Sequence, residues 1–232
     1  MIMKKIGVLI ADKDEYLPFV SSLSKTDYKK TDYLDKEGVI FSVCSAEVLA
    51  VNCGIGKVNA AAGAMYLIEK DCKAVLNFGM SGGLGNIKIG GYTFPKYFLE
   101  HDFDLSGIGY KPYFKPGQES PCFADRHLLE IAKDMGFELS NLAVCGDKFI
   151  CDDNIRKELI NNLNACSCDM ESAAAAAVCN AAGIPFSSLR RISDDGGNNA
   201  ANSHRAMNSL DNMNLPSAFL AYLKEVIEKY EF

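Results

Sequence analysis

The chain has 232 residues, of which 24 are Lys or Arg and 30 are Asp or Glu, so its formal net charge is −6. A hydrophobic content of 48% with 23% charged residues is typical of a globular protein and argues against a disordered chain. The mildly acidic balance predicts binding neither to nucleic acid nor to an anionic membrane surface, and no apolar run approaches the roughly 18 residues of a membrane span. This length favours a single α/β domain over residues 1–232.

The nine cysteines are scattered along the chain, and there are only three histidines. None of the cysteines forms a Cys-x-x-Cys pair, so the spacing predicts no metal site. Cys166 and Cys168 are candidates for a redox or metal pair; the alternative is that most of the thiols are small hydrophobic residues in a reducing cytoplasm. The apolar run at the N-terminus ends at Asp12 without a cleavage site of small residues, so we expect a cytoplasmic protein without a signal peptide.

In the first part of the chain, short β-rich runs alternate with helical patterns. Two adjacent runs that flank Ser45-Ala46-Glu47 predict a hairpin. The predicted elements are the strand Ile6–Ala11, the helix Asp14–Leu23, the strands Val39–Cys44 and Val48–Cys53, an Ala-rich helix after Gly54-Ile-Gly-Lys that ends near Lys70, and the strand Ala74–Phe78 with a glycine loop after it.

The second part of the chain continues the alternation, and Gly183 with Pro185 is a stop signal for one of its helices. The predicted strands are Tyr92–Leu99, Leu142–Cys145, Cys166–Met170 and Phe186–Ile192, and the predicted helices are Asp125–Met135, Asp153–Asn161, Glu171–Ala182 and Ser217–Tyr230. Alternating strands and helices with one hairpin predict a three-layer α/β/α fold with a mixed central sheet. Ligands in such folds bind at the carboxyl ends of strands.

Two glycine-rich segments suggest phosphate-binding loops. Gly54-Ile-Gly-Lys-Val does not fit the mononucleotide pattern, because Val51 and Val58 stand at the first glycine and the hydroxyl positions. The segment from Gly79 to Gly85 follows a strand, but its spacing is not that of a dinucleotide loop. It is either a tight turn or a loop where the backbone closely approaches a flat ligand, which glycine permits.

Carboxylates follow three of the predicted strands. Glu15 lies beyond the first strand, Glu171 follows Cys166–Met170, and Asp194 with Asp195 follows Phe186–Ile192. Each has an alternative explanation as a helix start, because caps and the helix dipole favour acidic residues there. Together they place three carboxylates at one rim of the sheet, as glycosidic bond cleavage with two acids and a ribose-binding carboxylate would require.

Six segments in order resemble a known family. They are Gly54-Ile-Gly-Lys-Val-Asn-Ala-Ala, Asn77-Phe-Gly-Met-Ser-Gly-Gly-Leu, His101-Asp-Phe-Asp with Gly109-Tyr and Pro116-Gly-Gln, Gly146-Asp-Lys-Phe-Ile, Asp169-Met-Glu-Ser and Arg190-Arg-Ile-Ser-Asp. The chain resembles the purine nucleoside phosphorylase superfamily, in its 5′-methylthioadenosine/S-adenosylhomocysteine nucleosidase branch, from about Lys5 to Lys229. The resemblance implies a nucleoside phosphorylase-like fold, a homodimer whose partner contributes to the 5′ pocket, and a hydrolase that needs neither cofactor nor metal.

The resemblance also implies roles for individual residues. It assigns Glu15 to water activation and Asp194 to protonation of N7 of the leaving adenine. Glu171 with Met170 would bind the ribose hydroxyls, and Phe149 would stack on adenine, whose edge the Ile150 backbone would read. The implied substrate-binding set is Ile55, Ser81, Gly82, Leu105, Ile108, Phe149, Ile150, Met170, Glu171, Arg190 and Ser193, of which Ile55, Leu105 and Ile108 would line the 5′-alkylthio pocket.

The chain departs from the family pattern at several positions. Met80 stands where the nucleosidases usually have a serine near the water, and Arg191 replaces a small residue. Lys111–Pro116 is longer than the family's short link, and His204 lies near the expected aromatic lid residue of the neighbouring subunit. We therefore expect these departures to affect selection of the 5′ substituent more than the reaction type.

Two other functions are alternatives to the hydrolase. A phosphorylase of the same fold needs cations for its phosphate. The loop Ala11–Glu15 has no arginine, however, and Asn77 occupies the second place where the family's phosphorylases have one. A silent nucleoside-binding protein would be free to lose its acid or base, whereas Glu15 and Asp194 are both present. Hydrolysis is therefore the function that the sequence favours.

Overall fold

The computed structural model describes residues 4–23, 27–117, 120–210 and 214–231. Within these ranges the chain forms strands and helices in alternation, as the sequence predicts. The strands are β1 Lys4–Ile10, β2 Tyr28–Tyr33, β3 Lys36–Val43, β4 Ala46–Asn52, β5 Val75–Gly83, β6 Tyr92–Glu100, β7 Cys122–Phe123, β8 Glu138–Cys145, β9 Ser167–Asp169 and β10 Phe186–Asp194. The helices are α1 Lys13–Ser22, α2 Lys57–Glu69, α3 Arg126–Asp134, α4 Asp153–Leu163, α5 Ser172–Ala181, α6 Ala200–Leu210 and α7 Asn214–Lys229, with a 3₁₀ turn at Ser106–Ile108.

All these strands belong to one mixed sheet. The order β10-β6-β8-β9-β5-β1-β4-β3-β2 includes the predicted antiparallel β3–β4 hairpin, and β4 pairs in parallel with β1. Strand β10 also pairs in parallel with β5, so β5, β10, β6, β8 and β9 form a closed ring of strands. The predicted mixed α/β fold is therefore confirmed, with a sheet that is closed at one end.

Helices cover both faces of the sheet because side chains alternate along each strand. On the face that packs against α2, Gly7 of β1 leaves room for Leu67 of that helix. A Cβ atom added to Gly7 would lie 3.0 Å from Leu67 Cβ. On the opposite face, Phe78 of β5 packs against Phe19 of α1 and Phe219 of α7, at ring-centroid distances of 5.5 and 4.3 Å. Aromatic contacts of this kind anchor the apolar core on that face.

Three elements of the structure, β2, β7 and α6, were not predicted, and one predicted loop is wrong in part. The strand β7 has only two residues, Cys122–Phe123. The strand β2 was not predicted because its sequence, Tyr28–Tyr33, is polar and its side chains are mostly exposed. The helix α6 was not predicted either, since Ala200–Leu210 has few large apolar residues. The predicted glycine loop is wrong in its first part, because β5 extends through Gly83. Within the ranges that the structure describes, every helix is too short or too polar to cross a bilayer.

Candidate active site

A cavity lies where the carboxyl ends of β1, β5 and β10 meet, because these three strands are parallel. The strand β9 runs antiparallel to β5, so Glu171 enters the same cavity from the other direction. The structure thus brings the three predicted carboxylates together. Among the predicted site residues, those that line the cavity are Glu15, Ile55, Ser81, Gly82, Phe149, Ile150, Met170, Glu171, Ser193 and Asp194.

The glycines of β5 make room for acidic side chains. A Cβ on Gly79 would lie 2.7 Å from Arg190 Nη1 and 3.0 Å from both carboxylate oxygens of Glu15. A Cβ on Gly82 would lie 2.8 Å from Cys168 Sγ and 3.0 Å from Asp194 Oδ1. Real Cβ atoms almost never come within 3.0 Å, so a Cβ at these positions would displace Arg190 or Cys168, and it would also crowd Glu15 or Asp194. Close packing of neighbouring side chains explains glycine at 79 and 82.

The partly buried carboxylate of Glu15 points into the sheet rather than into solvent. Its Oε1 accepts a hydrogen bond of 2.7 Å from the Met80 backbone N–H. Burial raises the pKa of Glu15 to about 8, although the Met80 N–H and the Arg190 guanidinium oppose the shift. A carboxylate whose pKa lies near neutrality is suited to accept a proton from water.

Glu171 is 7% exposed and does not cap the helix α5 that it precedes. Instead, its Oε1 accepts a 3.0 Å hydrogen bond from the Gly56 N–H at the start of α2, while Asp169 Oδ1 accepts from the N–H groups of Glu171 and Ser172. Burial raises the pKa of Glu171 to about 7, and Arg190 opposes this shift. Glu171 thus stands at the start of α5, as the sequence indicates, but its side chain bonds to the start of α2 rather than to the first turn of α5.

Arg190 was predicted to bind substrate, but the structure places it behind the cavity wall. It is 2% exposed, and its Nε lies 3.2 Å from Asp169 Oδ2. Its Nη2 donates a 2.7 Å hydrogen bond to Asn77 Oδ1. The guanidinium thus supports the carboxylates from behind, because it lowers the pKa of both Glu15 and Glu171. Asp169 and Arg190 each begin one of the six segments that resemble the family, but nothing in the sequence predicts that the two form an ion pair.

Asp194 is 1% exposed and has hydrogen bonds to both of its oxygens. Ser193 Oγ donates to Oδ2 at 2.7 Å, and the Gly196 N–H donates to Oδ1 at 2.9 Å. Burial raises the pKa of Asp194, opposed chiefly by these two hydrogen bonds. The proposed effect of Asp195 is in the expected direction but is the smaller contribution to the pKa. Burial thus favours the neutral acid that can give a proton.

The opposite wall of the cavity is apolar. Phe149 is 40% exposed, and Ile150 is buried beside it. Ile55, with a half-exposed side chain, and Met80 also line the cavity. An exposed aromatic ring in a cavity that also holds buried carboxylates can bind a flat heterocycle by stacking.

Three further residues singled out in the sequence lie at different distances from the cavity. Leu105 and Ile108 do not line the cavity of their own chain, and Ile108 is 73% exposed. His204, expected near a residue from the neighbouring subunit, lines the cavity of its own chain, with Nδ1 3.1 Å from Ser193 Oγ. This contact was missed because α6 was not predicted, so nothing in the sequence indicated where His204 points.

The charge of the cavity lining is dominated by acids. Five carboxylate residues line it (Asp12, Glu15, Asp169, Glu171 and Asp194), whereas the only lysine or arginine among its described lining residues is Lys148. Asn77, at the position where a phosphorylase would have an arginine, is 1% exposed and is bonded to Arg190, Ser188 and Leu9. Across the described residues, no cluster of three His, Cys, Asp or Glu side chains is arranged to hold a metal ion. A lining with five acidic residues and one cationic residue lacks the positive partners that a phosphate dianion needs.

Comparisons with known proteins agree with this geometry. A family model described as "Phosphorylase superfamily" matches residues 5–227. The chain is 31% identical to the aminodeoxyfutalosine nucleosidase of Campylobacter jejuni, over 85% of this chain and 89% of the relative. It is 33% identical to the 5′-methylthioadenosine/S-adenosylhomocysteine nucleosidase of Shewanella loihica, over 84% and 88% of the two chains. The fold matches a crystal structure of the Helicobacter pylori nucleosidase of that name with a TM-score of 0.90 and 23% identity, over 97% of this chain and 100% of the other.

Proposed function

We propose, for a chain that belongs to the phosphorylase superfamily, that it hydrolyses the N-glycosidic bond of 5′-methylthioadenosine and S-adenosylhomocysteine. The products are adenine and the 5′-thio-substituted ribose. The observation that carries this proposal is the single cavity that Glu15, Glu171 and Asp194 line together with the exposed ring of Phe149. Relatives that are 29–33% identical and bear the name of this nucleosidase support it.

In the proposed mechanism, Glu15 takes a proton from water as the water oxygen bonds to the anomeric carbon. The bond from that carbon to N9 of adenine breaks, and Asp194 gives its proton to N7. Adenine is a poor leaving group unless it is protonated, and a positioned proton transfer contributes roughly 10²–10⁴-fold to the rate. The net reaction consumes one water, whose hydroxyl group ends on the sugar. Glu15 gains one proton and Asp194 loses one, so the total number of protons on the enzyme is unchanged.

The remaining lining residues bind the substrate in this proposal. Glu171 and Met170 hold the ribose hydroxyls, and the Glu171 anion stabilises the positive charge that develops on the sugar. Phe149 stacks on adenine, while the backbone of Ile150 reads its edge. Ser81, Gly82 and Ser193 shape the wall beside Asp194, and Arg190 acts from behind by holding Asp169.

In this proposal water rather than phosphate is the nucleophile, because the cavity lining offers few positive charges to bind an anion. A phosphate dianion would meet five acidic residues, while the guanidinium of Arg190 is committed to Asp169 and Asn77. Charge-assisted hydrogen bonds from free arginines are what a phosphate site needs.

A second candidate substrate is aminodeoxyfutalosine, because a relative that is 31% identical is named for that activity. The test is adenine release in phosphate-free buffer from methylthioadenosine, S-adenosylhomocysteine, aminodeoxyfutalosine and inosine. We expect the highest kcat/KM with the first two and none with inosine. A higher kcat/KM with aminodeoxyfutalosine would reassign the substrate, and no turnover of any of the four would contradict a nucleosidase.

We further propose that this single domain forms a homodimer in which the 5′ pocket is completed across the interface. Ile55 lines the cavity just before α2, and Val58 and Met65 lie seven residues apart on α2; their exposures are 50, 79 and 45%, and Ile108 is also exposed. Exposed apolar side chains in such a group are typical of an interface. Light scattering at micromolar concentration should give twice the monomer mass, and a monomer would contradict an intersubunit pocket.

We place the protein in the cytoplasm. All nine cysteines are free thiols, and two of them, Cys44 and Cys151, are exposed. Free thiols are usual in a reducing compartment, where exposed cysteines are not oxidised to disulfides. Fractionation of cells that produce the protein, followed by detection with an antibody, should find it with cytoplasmic markers.

A further inference from the structure

His204 makes a contact that the proposed mechanism does not yet use. It lies on α6, ten residues after Asp194, and its ring lines the cavity. Its Nδ1 is 3.1 Å from Ser193 Oγ, and its ring stands edge-on to Phe149 at a centroid distance of 5.5 Å and an angle of 71°. The imidazole is therefore held in place on one side and directed at the Ser193 hydroxyl on the other.

The Ser193 hydroxyl has one hydrogen and more than one possible acceptor. Asp194 Oδ2 lies 2.7 Å from Ser193 Oγ, and the Ser81 carbonyl oxygen lies 3.3 Å from it. A hydroxyl that accepts a hydrogen bond through a lone pair keeps its own hydrogen free to donate elsewhere. If Nδ1–H of His204 donates to Ser193 Oγ, the hydrogen of Ser193 points to Asp194, its shortest contact.

We propose that His204 is a positioning residue, which donates Nδ1–H to Ser193 Oγ and so directs the Ser193 hydroxyl onto Asp194 Oδ2. This inference rests on the proposed function, in which Asp194 protonates the leaving adenine. The Gly196 N–H fixes Oδ1 from the other side, so the two contacts together fix the plane of the carboxyl group.

The stage of the reaction at which the hydrogen bond from Ser193 to Asp194 strengthens determines which kinetic constant it affects. As Asp194 gives up its proton it becomes an anion, and a donor at Oδ2 then stabilises it more strongly than before the transfer. An interaction that strengthens only in the transition state raises kcat and leaves ground-state binding nearly unchanged. His204 should therefore affect kcat through Ser193 and have little effect on KM.

Four variants test this role against that of a simple cavity wall. His204→Phe keeps a ring against Phe149 but has no donor. His204→Asn places its amide nitrogen where Nδ1 stands, and His204→Gln places its amide one bond further out. Ser193→Ala removes the group through which His204 acts. These four single variants and the double variant Ser193→Ala/His204→Phe are measured for kcat, KM, thermal unfolding and adenine affinity, beside the wild-type enzyme.

We expect His204→Phe to lower kcat about ten-fold, the equivalent of one hydrogen bond, with KM within about two-fold. His204→Asn should keep at least about half of kcat, and His204→Gln should resemble His204→Phe. In the Ser193→Ala background, adding His204→Phe should change kcat less than about two-fold, because residues that act as one unit are not additive.

If His204→Phe lowers kcat by the same factor in the wild-type and the Ser193→Ala backgrounds, or changes KM alone, the positioning role is overturned. Either result would leave His204 as a side chain that only lines the cavity. If His204→Phe does not fold, the comparison of His204→Asn with His204→Gln decides the question alone, and equal kcat values would overturn the proposal. Failure of the proposed function is a separate result, because the wild-type enzyme would then release no adenine.

Discussion

The two sides of the cavity hold their acids by different means. On the water side, which comprises Glu15, Glu171, Asp169 and Arg190, a buried guanidinium lies behind the carboxylates, and backbone N–H groups hold Glu15 and Glu171. On the leaving-group side, which comprises Asp194, Ser193 and His204, a hydroxyl and a backbone N–H hold the acid. Burial raises the pKa of the carboxyl groups on both sides. Arg190 and backbone N–H groups oppose this rise for Glu15 and Glu171, whereas only uncharged donors, the Ser193 hydroxyl and the Gly196 N–H, lead the opposition for Asp194.

The largest expected effect is on the leaving-group side. Asp194→Asn keeps the shape of the side chain but has no proton to give, so kcat should fall by ~10²-fold or more. Adenine affinity should change far less, because the amide still forms hydrogen bonds near the ring. Asp195→Asn is the matched control, since Asp195 is exposed and should leave kcat nearly unchanged. A near-normal kcat for Asp194→Asn would show that the proton comes from elsewhere.

On the water side, Glu15→Gln should lower kcat by about 10²-fold, because an amide cannot accept the proton of water. The amide oxygen can still accept the Met80 N–H, so adenine binding and the fold should persist. Asp14→Asn changes the neighbouring exposed acid and is the control. Steady-state kinetics of both variants with methylthioadenosine measure the effect, and equal kcat values for them would remove Glu15 from the mechanism.

Glu171→Gln should differ from both in affecting two constants. The ribose hydroxyls lose a charged acceptor in the ground state and in the transition state, so we expect KM to rise and kcat to fall, each by about ten-fold. Arg190 keeps its partner Asp169, so the site should remain folded. A fall in kcat with an unchanged KM would indicate that Glu171 does not bind the ribose.

The smallest effect is on stability. The pKa of Glu15 is raised from 4.5 to about 8 by burial, so between these pH values the folded protein holds a proton that the unfolded chain has released. The free energy of unfolding should therefore fall as pH rises through this window, in proportion to the proton difference. Glu15→Gln cannot ionise, so its Tm relative to wild type should rise by about 4 °C or more from pH 5 to pH 8.

Thermal unfolding followed by circular dichroism at pH 5, 6, 7 and 8 measures this difference, with Asp14→Asn as the reference variant. A constant gap in Tm between Glu15→Gln and wild type would mean that Glu15 is already ionised throughout the range. The water side would then resemble an ordinary surface acid rather than a buried base.

The sequence predicted the fold and most of the cavity because apolar periodicity and short ordered motifs mark them. Glu15, Glu171 and Asp194 follow strands, and the parallel arrangement of β1, β5 and β10 brings two of the three to one edge. The extension of β5 through Gly83 was not predicted, because a glycine run resembles a loop until the neighbouring acidic side chains are seen.

Other features of the site depend on contacts that no local pattern indicates. Arg190 was predicted to bind substrate, yet its partner Asp169 belongs to a different strand, and only the folded sheet shows that the two charges meet. The position of His204 depends on α6, whose sequence is polar and has few large apolar residues to mark a buried helix. Buried ion pairs and long-range hydrogen bonds are properties of the tertiary structure and were therefore missed.

The most direct test of hydrolysis is the mass of the sugar product. The protein is incubated with methylthioadenosine in buffer without phosphate and in the same buffer with added phosphate, and the products are separated and analysed by mass spectrometry. The acidic cavity predicts free methylthioribose at the same rate in both buffers. A sugar 1-phosphate, or turnover that appears only with phosphate, would contradict water as the nucleophile.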